Sequence, residues 1–93
     1  MPNRDEYLDR IEIHRLQIDE IDRRLVALLN ERATHQMAIR SIKAEARLPV
    51  YDQRREDEVI ERVHAQNAGP LTEENLDEIF EAILTVSKEM QSS

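Results

Sequence analysis

The chain has 93 residues, a length that makes one domain, residues 1–93. It contains one Gly, no Cys and no Trp, and 35% of its residues are charged, with a net charge of −7. That composition excludes disulfides and thiol chemistry, and it argues against nucleic acid and anionic membranes as partners. The opening MPNRDEYLDR has no apolar h-region and no run approaches a transmembrane span, so no secretory signal is expected and the chain reads as cytoplasmic.

The first predicted element is a helix from about residue 5 to about residue 46, capped by Asn3 or Asp5. Nothing interrupts it before Pro49, which disfavours helix at Leu48. Ile11, Ile18, Ile21, Leu25, Leu28 and Ile39 follow the three-and-four stepping of a buried helix face. Arg32 and Lys43 fall on the same stripe. Eleven residues apart, they are close to a whole number of turns apart, so both point the same way. A buried charge is costly unless paired. Two such cations on one face invite an anion.

The second predicted helix takes Asp52 as N-cap and runs to about Gln66, where Asn67-Ala68-Gly69-Pro70 stops it. Val59, Ile60 and Val63 form its short apolar face, with Glu56 one turn before Ile60. The third starts at Thr72 as N-cap, carries Glu73 and Glu74 in its first turn, and runs to about Met90 or Gln91 before fraying. Leu76, Phe80 and Leu84 step along one face, and that stripe continues into Ser87 and Gln91. Each helix therefore places polar groups where its pattern predicts hydrocarbon. The fold class is all-α, three helices, with one polar pocket for a compact anionic ligand. Local cations would draw that ligand in against the global charge. His14, His35 and His64 lack metal-ligand spacing and read as solvated surface residues, so no metal is expected.

Length decides the expected assembly. A helix of about 40 residues is roughly 60 Å long. A domain of this size has a radius of gyration near 12 Å and is only about 30–35 Å across. The first helix must overhang its own globule, and the two short helices cannot cover its stripe. A homodimer with paired long helices is the economical answer. A helix broken near Asn30–His35, giving a monomeric bundle, is the alternative.

The chain resembles the all-helical (type II) chorismate mutases, the bacterial kind built as an intertwined homodimer of three-helix protomers. The resemblance starts at Arg15 and the spaced Ile-Asp-Glu-Ile-Asp run to Asp22. It continues in Leu28-Leu29-Asn30-Glu31-Arg32, similar to that family's LLxxR segment, with Lys43 eleven residues on. Pro49-Val50-Tyr51-Asp52-Gln53-Arg54-Arg55-Glu56 is similar to its P-V-x-D-x-x-R-E signature. Ile79-Phe80, Ser87 and Gln91 match its last helix. Each segment is weak alone; together, in order and at family spacing, they are specific.

What the resemblance implies is an isomerase converting chorismate to prephenate, toward phenylalanine and tyrosine, with no cofactor. Arg15 of the partner subunit and Arg32 would clamp the substrate carboxylates, with Arg55 supporting that end. Lys43 and Gln91 would donate to the ether oxygen. Glu56, with the backbone at Asp52, would hold the ring hydroxyl, and Ser87 would bond a carboxylate. Association with another aromatic-pathway enzyme is a further implied partner.

Each residue also has a plainer reading. Arg15 suits a surface ion pair with Asp19 or Asp22, and Arg32 could snorkel. Lys43 lies near a helix C-terminus and Glu56 in a first turn, where dipoles favour them. Arg54 and Arg55 alternate with acids as a solvated face does. Rival functions are an isochorismate-pyruvate lyase on the same scaffold, a mutase-like regulatory module, and a plain dimerisation module. The Arg55-Glu56 pair favours the mutase over the lyase. Arg32, Lys43 and Gln91 on apolar stripes speak against simple dimerisation.

Overall fold

In the computed structural model, which describes residues 1–92, three α-helices follow one another: α1 (Arg4–Ala46), α2 (Gln53–Gln66) and α3 (Glu73–Ser92). Their ends follow local chemistry. Asn3 caps α1, its Oδ1 accepting from the Glu6 N–H at 2.9 Å. Asp52 caps α2 from the extended region and accepts from the Arg55 N–H at 3.3 Å. Thr72 and Asn75 cap α3 reciprocally: each side-chain oxygen accepts the other's backbone N–H at 3.1 Å. The last helix reaches Ser92, slightly past the expected fraying point, and so carries Gln91 within its final turn.

α1 ends in a Schellman turn. The Arg47 N–H donates to Ala44 O at 3.3 Å and the Leu48 N–H to Lys43 O at 2.8 Å. Arg47 therefore sits in the left-handed region at φ 56°, a position that glycine usually fills. Pro49 follows and bars further helix. At the other corner, Gly69 adopts φ 75°, and Asn67 braces the turn by donating to Leu71 O at 2.8 Å and accepting from the Gly69 N–H at 2.9 Å.

Two units divide the chain, residues Met1–Thr34 and the part from His35 onward. The first is the N-terminal part of α1. No break occurs at Asn30–His35, which is helical throughout. Its apolar stripe is exposed: Ile11 is 46%, Leu25 50% and Leu28 60% accessible. Within one chain the stripe is uncovered, as the length of the helix leads one to expect. The positions on α1 that are half-buried are Arg32, Ala33, Gln36 and Lys43, three of them polar. In the second unit, α2 packs on α3. Val59, Ile60 and Val63 of α2 and Leu76, Phe80, Ile83 and Leu84 of α3 are half-buried.

Among the described residues no apolar side chain is buried, and Ser87 is the one buried polar residue, at 8% exposure. No helix among them is long and apolar enough to cross a membrane. His64 corrects the expectation of a solvated histidine. It is half-buried and its Nε2 lies 2.5 Å from Asp77 Oδ1, tying α2 to α3. That hydrogen bond, with the nearby charges of Asp77 and Glu73, raises the imidazole pKa above its usual value.

Candidate active site

The Schellman turn that ends α1 also begins the site. It folds Leu48–Val50 back along the last turn, so Lys43 Nζ donates to Val50 O at 2.9 Å. Lys43 is half-buried there, and two of its three ammonium protons are left for other acceptors. Tyr51 and Asp52 then lead into α2. The Asp52 carboxylate is occupied by capping, which places Arg55 and Glu56 in the first turn. Arg54 and Arg55 are exposed and both reach Glu58, at 3.5 and 3.7 Å, as a solvated face would.

Glu56 is half-buried, as are Glu58 and Asp77 nearby. Glu56 Oε2 accepts from the Tyr51 hydroxyl at 3.0 Å and its Oε1 lies 3.3 Å from Lys88 Nζ on α3. The same ammonium stands 4.7 Å from the centre of the Tyr51 ring. Tyr51 also hydrogen-bonds Gln53. Partial burial first, then the hydrogen bond to the Glu56 carboxylate, push the phenol pKa up, so Tyr51 stays a donor.

From α3, Ser87 donates from Oγ to Ile83 O at 2.9 Å, one turn back. One turn further on, Gln91 Nε2 donates to Oε1 of Gln36 on α1. Lys43, Asp52, Arg55, Glu56, Ser87 and Gln91 all belong to the second unit, where Gln91 reaches α1 and Glu56 reaches α3, while Lys43, Asp52 and Arg55 contact their own helix or the adjoining segment. Arg15 and Arg32 lie in the first unit. Arg15 is exposed, and among the described residues neither Asp19 nor Asp22 pairs with it. Arg32 is half-buried.

Three polar participants escape the sequence reading: Gln36, Tyr51 and Lys88. Gln36 had a signal. It fills the step between Arg32 and Ile39 on the polar end of the α1 stripe. Lys88 follows the step of four from Leu84, but nothing in its own helix announces Glu56 as its partner. Tyr51 is the variable position of the P-V-x-D segment.

The groove between α2 and α3 that Glu56 lines holds none of the other expected site residues; Gln91 is tied instead to Gln36 of α1 and Lys43 to Val50 O. The family model for chorismate mutase type II matches residues 14–92, and the chain belongs to that family. It is 39% identical over 72 residues to the bifunctional chorismate mutase/prephenate dehydratase of Neisseria gonorrhoeae, covering 77% of this chain and 19% of that protein. The Aquifex aeolicus protein of the same name is 36% identical over 75 residues, covering 76% of this chain and 21% of that one. The chain therefore spans about a fifth of the length of these curated relatives. Among solved structures, chorismate mutase (form II) of Thermus thermophilus superposes with a TM-score of 0.86 at 31% identity, over 89% of this chain and 94% of that one. Chorismate mutase of Helicobacter pylori in complex with prephenate gives 0.82 at 28% identity, over 90% and 91%.

Proposed function

We propose that this chain catalyses the rearrangement of chorismate to prephenate. The observation that carries the reading is that the half-buried positions of α1 are mostly polar: Arg32, Gln36 and Lys43. A shielded cation is costly unless an acceptor or an anion meets it, so Arg32 and Lys43 suit an anionic ligand. The prephenate bound by the Helicobacter pylori relative supplies a matching anion.

The rearrangement is intramolecular and needs no nucleophile, proton shuttle, metal or cofactor. Two physical tasks remain. The flexible dianion must be held in a compact reactive geometry. Negative charge growing on the breaking ether oxygen must meet donors already in place. Arg32 and the partner subunit's Arg15 clamp the carboxylates, since guanidinium forks bind carboxylates bidentately. Arg55 supports that end, and Ser87 adds a hydrogen bond to a carboxylate. Lys43 and Gln91 donate to the ether oxygen. Glu56 and the backbone at Asp52 hold the ring hydroxyl.

The active species in this proposal is a homodimer. A folded monomer of this length exposes about 5,600 Å² by the usual scaling, whereas this chain exposes 7982 Å². The excess is roughly 2,400 Å² per chain, or roughly 4,800 Å² per pair, in the range of obligate dimers. The joining of mutase and dehydratase in the names of the relatives supports association with another aromatic-pathway enzyme. The site of action is the cytoplasm.

An ultraviolet assay following chorismate, with the product identified, tests the reading. Prephenate is expected. Pyruvate and an aromatic acid, or no turnover by dimeric protein, would overturn it.

A further inference from the structure

The groove between α2 and α3, of about 390 Å³, is lined by Glu56, Asp57, Asp77 and Glu81, with Lys88 the one cation lining it among the described residues. Four carboxylates around one groove repel one another. Glu56 is the best shielded member of a pair that Lys88 closes from the opposite helix, with side-chain exposures of 21% and 50%. The pair is not an isolated surface contact. Tyr51 takes the other oxygen of Glu56 and at the same time presents its ring face to the Lys88 ammonium. An ammonium that touches both a carboxylate and a ring face is restricted more than one in a simple exposed pair.

We propose that Lys88 and Tyr51 are positioning residues that clamp the Glu56 carboxylate from both oxygens and aim its remaining lone pairs at the substrate hydroxyl. This inference rests on the mutase reading, in which Glu56 binds that hydroxyl. The geometry gives it a directional basis. An ionised carboxylate offers about four acceptor sites. Tyr51 and Lys88 engage one oxygen each, so rotation of the group is blocked while acceptor capacity remains. Without Lys88, Asp57, Asp77 and Glu81 would push Glu56 off its position. Neither helix alone supplies the arrangement: the acid comes from α2, the cation from α3 and the phenol from the segment before α2.

The test compares wild type with Lys88→Met, Lys88→Arg, Glu56→Gln and the Lys88→Met/Glu56→Gln double variant in chorismate turnover. A contact made equally in ground and transition states acts on KM, so Lys88→Met is expected to raise KM roughly 5- to 20-fold with kcat changed less than about two-fold. Lys88→Arg should recover most of that loss. In the Glu56→Gln background, Lys88→Met should change kcat/KM by less than about two-fold, because coupled residues are non-additive. Independent, additive effects or an unchanged KM in Lys88→Met would overturn the clamp. Wild type inactive on chorismate would instead overturn the mutase reading. The clamp is then judged by NMR: the Lys88 εCH2 protons should lie upfield under the Tyr51 ring, and move back in Tyr51→Leu and in Glu56→Gln. Random-coil shifts in wild type would overturn it.

Discussion

Gln91 and Gln36 hydrogen-bond side chain to side chain, joining the last turn of α3 to α1. A residue near the end of the chain is thereby held in place rather than left to fray. A neutral amide donates at any ordinary pH, whereas a carboxylic acid donates only while protonated, and Glu titrates near 4.3 unless its site shifts it. Gln91→Glu should therefore work best in acid and lose kcat/KM as pH rises and the new carboxylate repels the developing oxyanion. Wild type should lack that decline. Parallel pH–rate profiles for the two proteins would show that residue 91 does not reach the substrate.

Lys43→Ala separates chemistry from stability. Removing a donor aimed at developing charge costs on the order of 100- to 1,000-fold in kcat/KM. The lost bond to Val50 O is a single tether from a charged donor, and such a bond contributes about 1.5–3 kcal/mol. Paired kinetics and denaturant melts check both figures. A large drop in stability with near-normal turnover would make Lys43 structural.

Mixing Arg15→Ala with Arg32→Ala chains should restore activity that neither variant shows alone. Hybrid dimers rebuild one complete site if Arg15 crosses the interface. Verified heterodimers without recovered turnover would place both arginines in one chain's site.

His64 gives folding a pH signature. Its pKa is raised in the folded state, chiefly by the hydrogen bond to Asp77 and also by the charges of Asp77 and Glu73. The stabilisation is fully present below the unfolded-state value near 6.5 and is lost as pH rises through the higher folded value. Asp77→Asn should lower Tm at about pH 5.5, with the gap to wild type closing as pH climbs past that window. A Tm difference independent of pH would mean the contact contributes only packing.

Arg47→Gly tests the end of α1. A non-glycine residue in the left-handed region carries a penalty of roughly 1–2 kcal/mol, partly offset by the greater unfolded-state freedom of glycine. A net gain of about 0.5–1 kcal/mol is expected in denaturant melts at fixed protein concentration. Because the turn also sets the Val50 carbonyl against Lys43, turnover should be retained.

The helix frame was readable from single residues. Asn3, Asp52 and Thr72 cap through contacts three residues away, and Pro49 and Gly69 act on their own backbone. Arg32, Lys43, Ser87 and Gln91 were conspicuous as polar steps on apolar stripes. The partners were harder. Gln91 meets a residue 55 positions away, and Lys88 reaches across from α3 to α2, so no local periodicity encodes either contact. His64 looked like a surface residue because its acid partner lies 13 positions on, beyond the turn.

The uncovered aliphatic row on α1 has a kinetic consequence. Under the proposed homodimer, a lone chain has almost no interior to gain by folding, so the stabilising step would be an encounter between two chains. Refolding should then become second order at low concentration, and the urea midpoint should climb as protein is added. A cell making few copies would hold a disproportionately small active fraction, because the supply of finished sites scales with the square of the free chain.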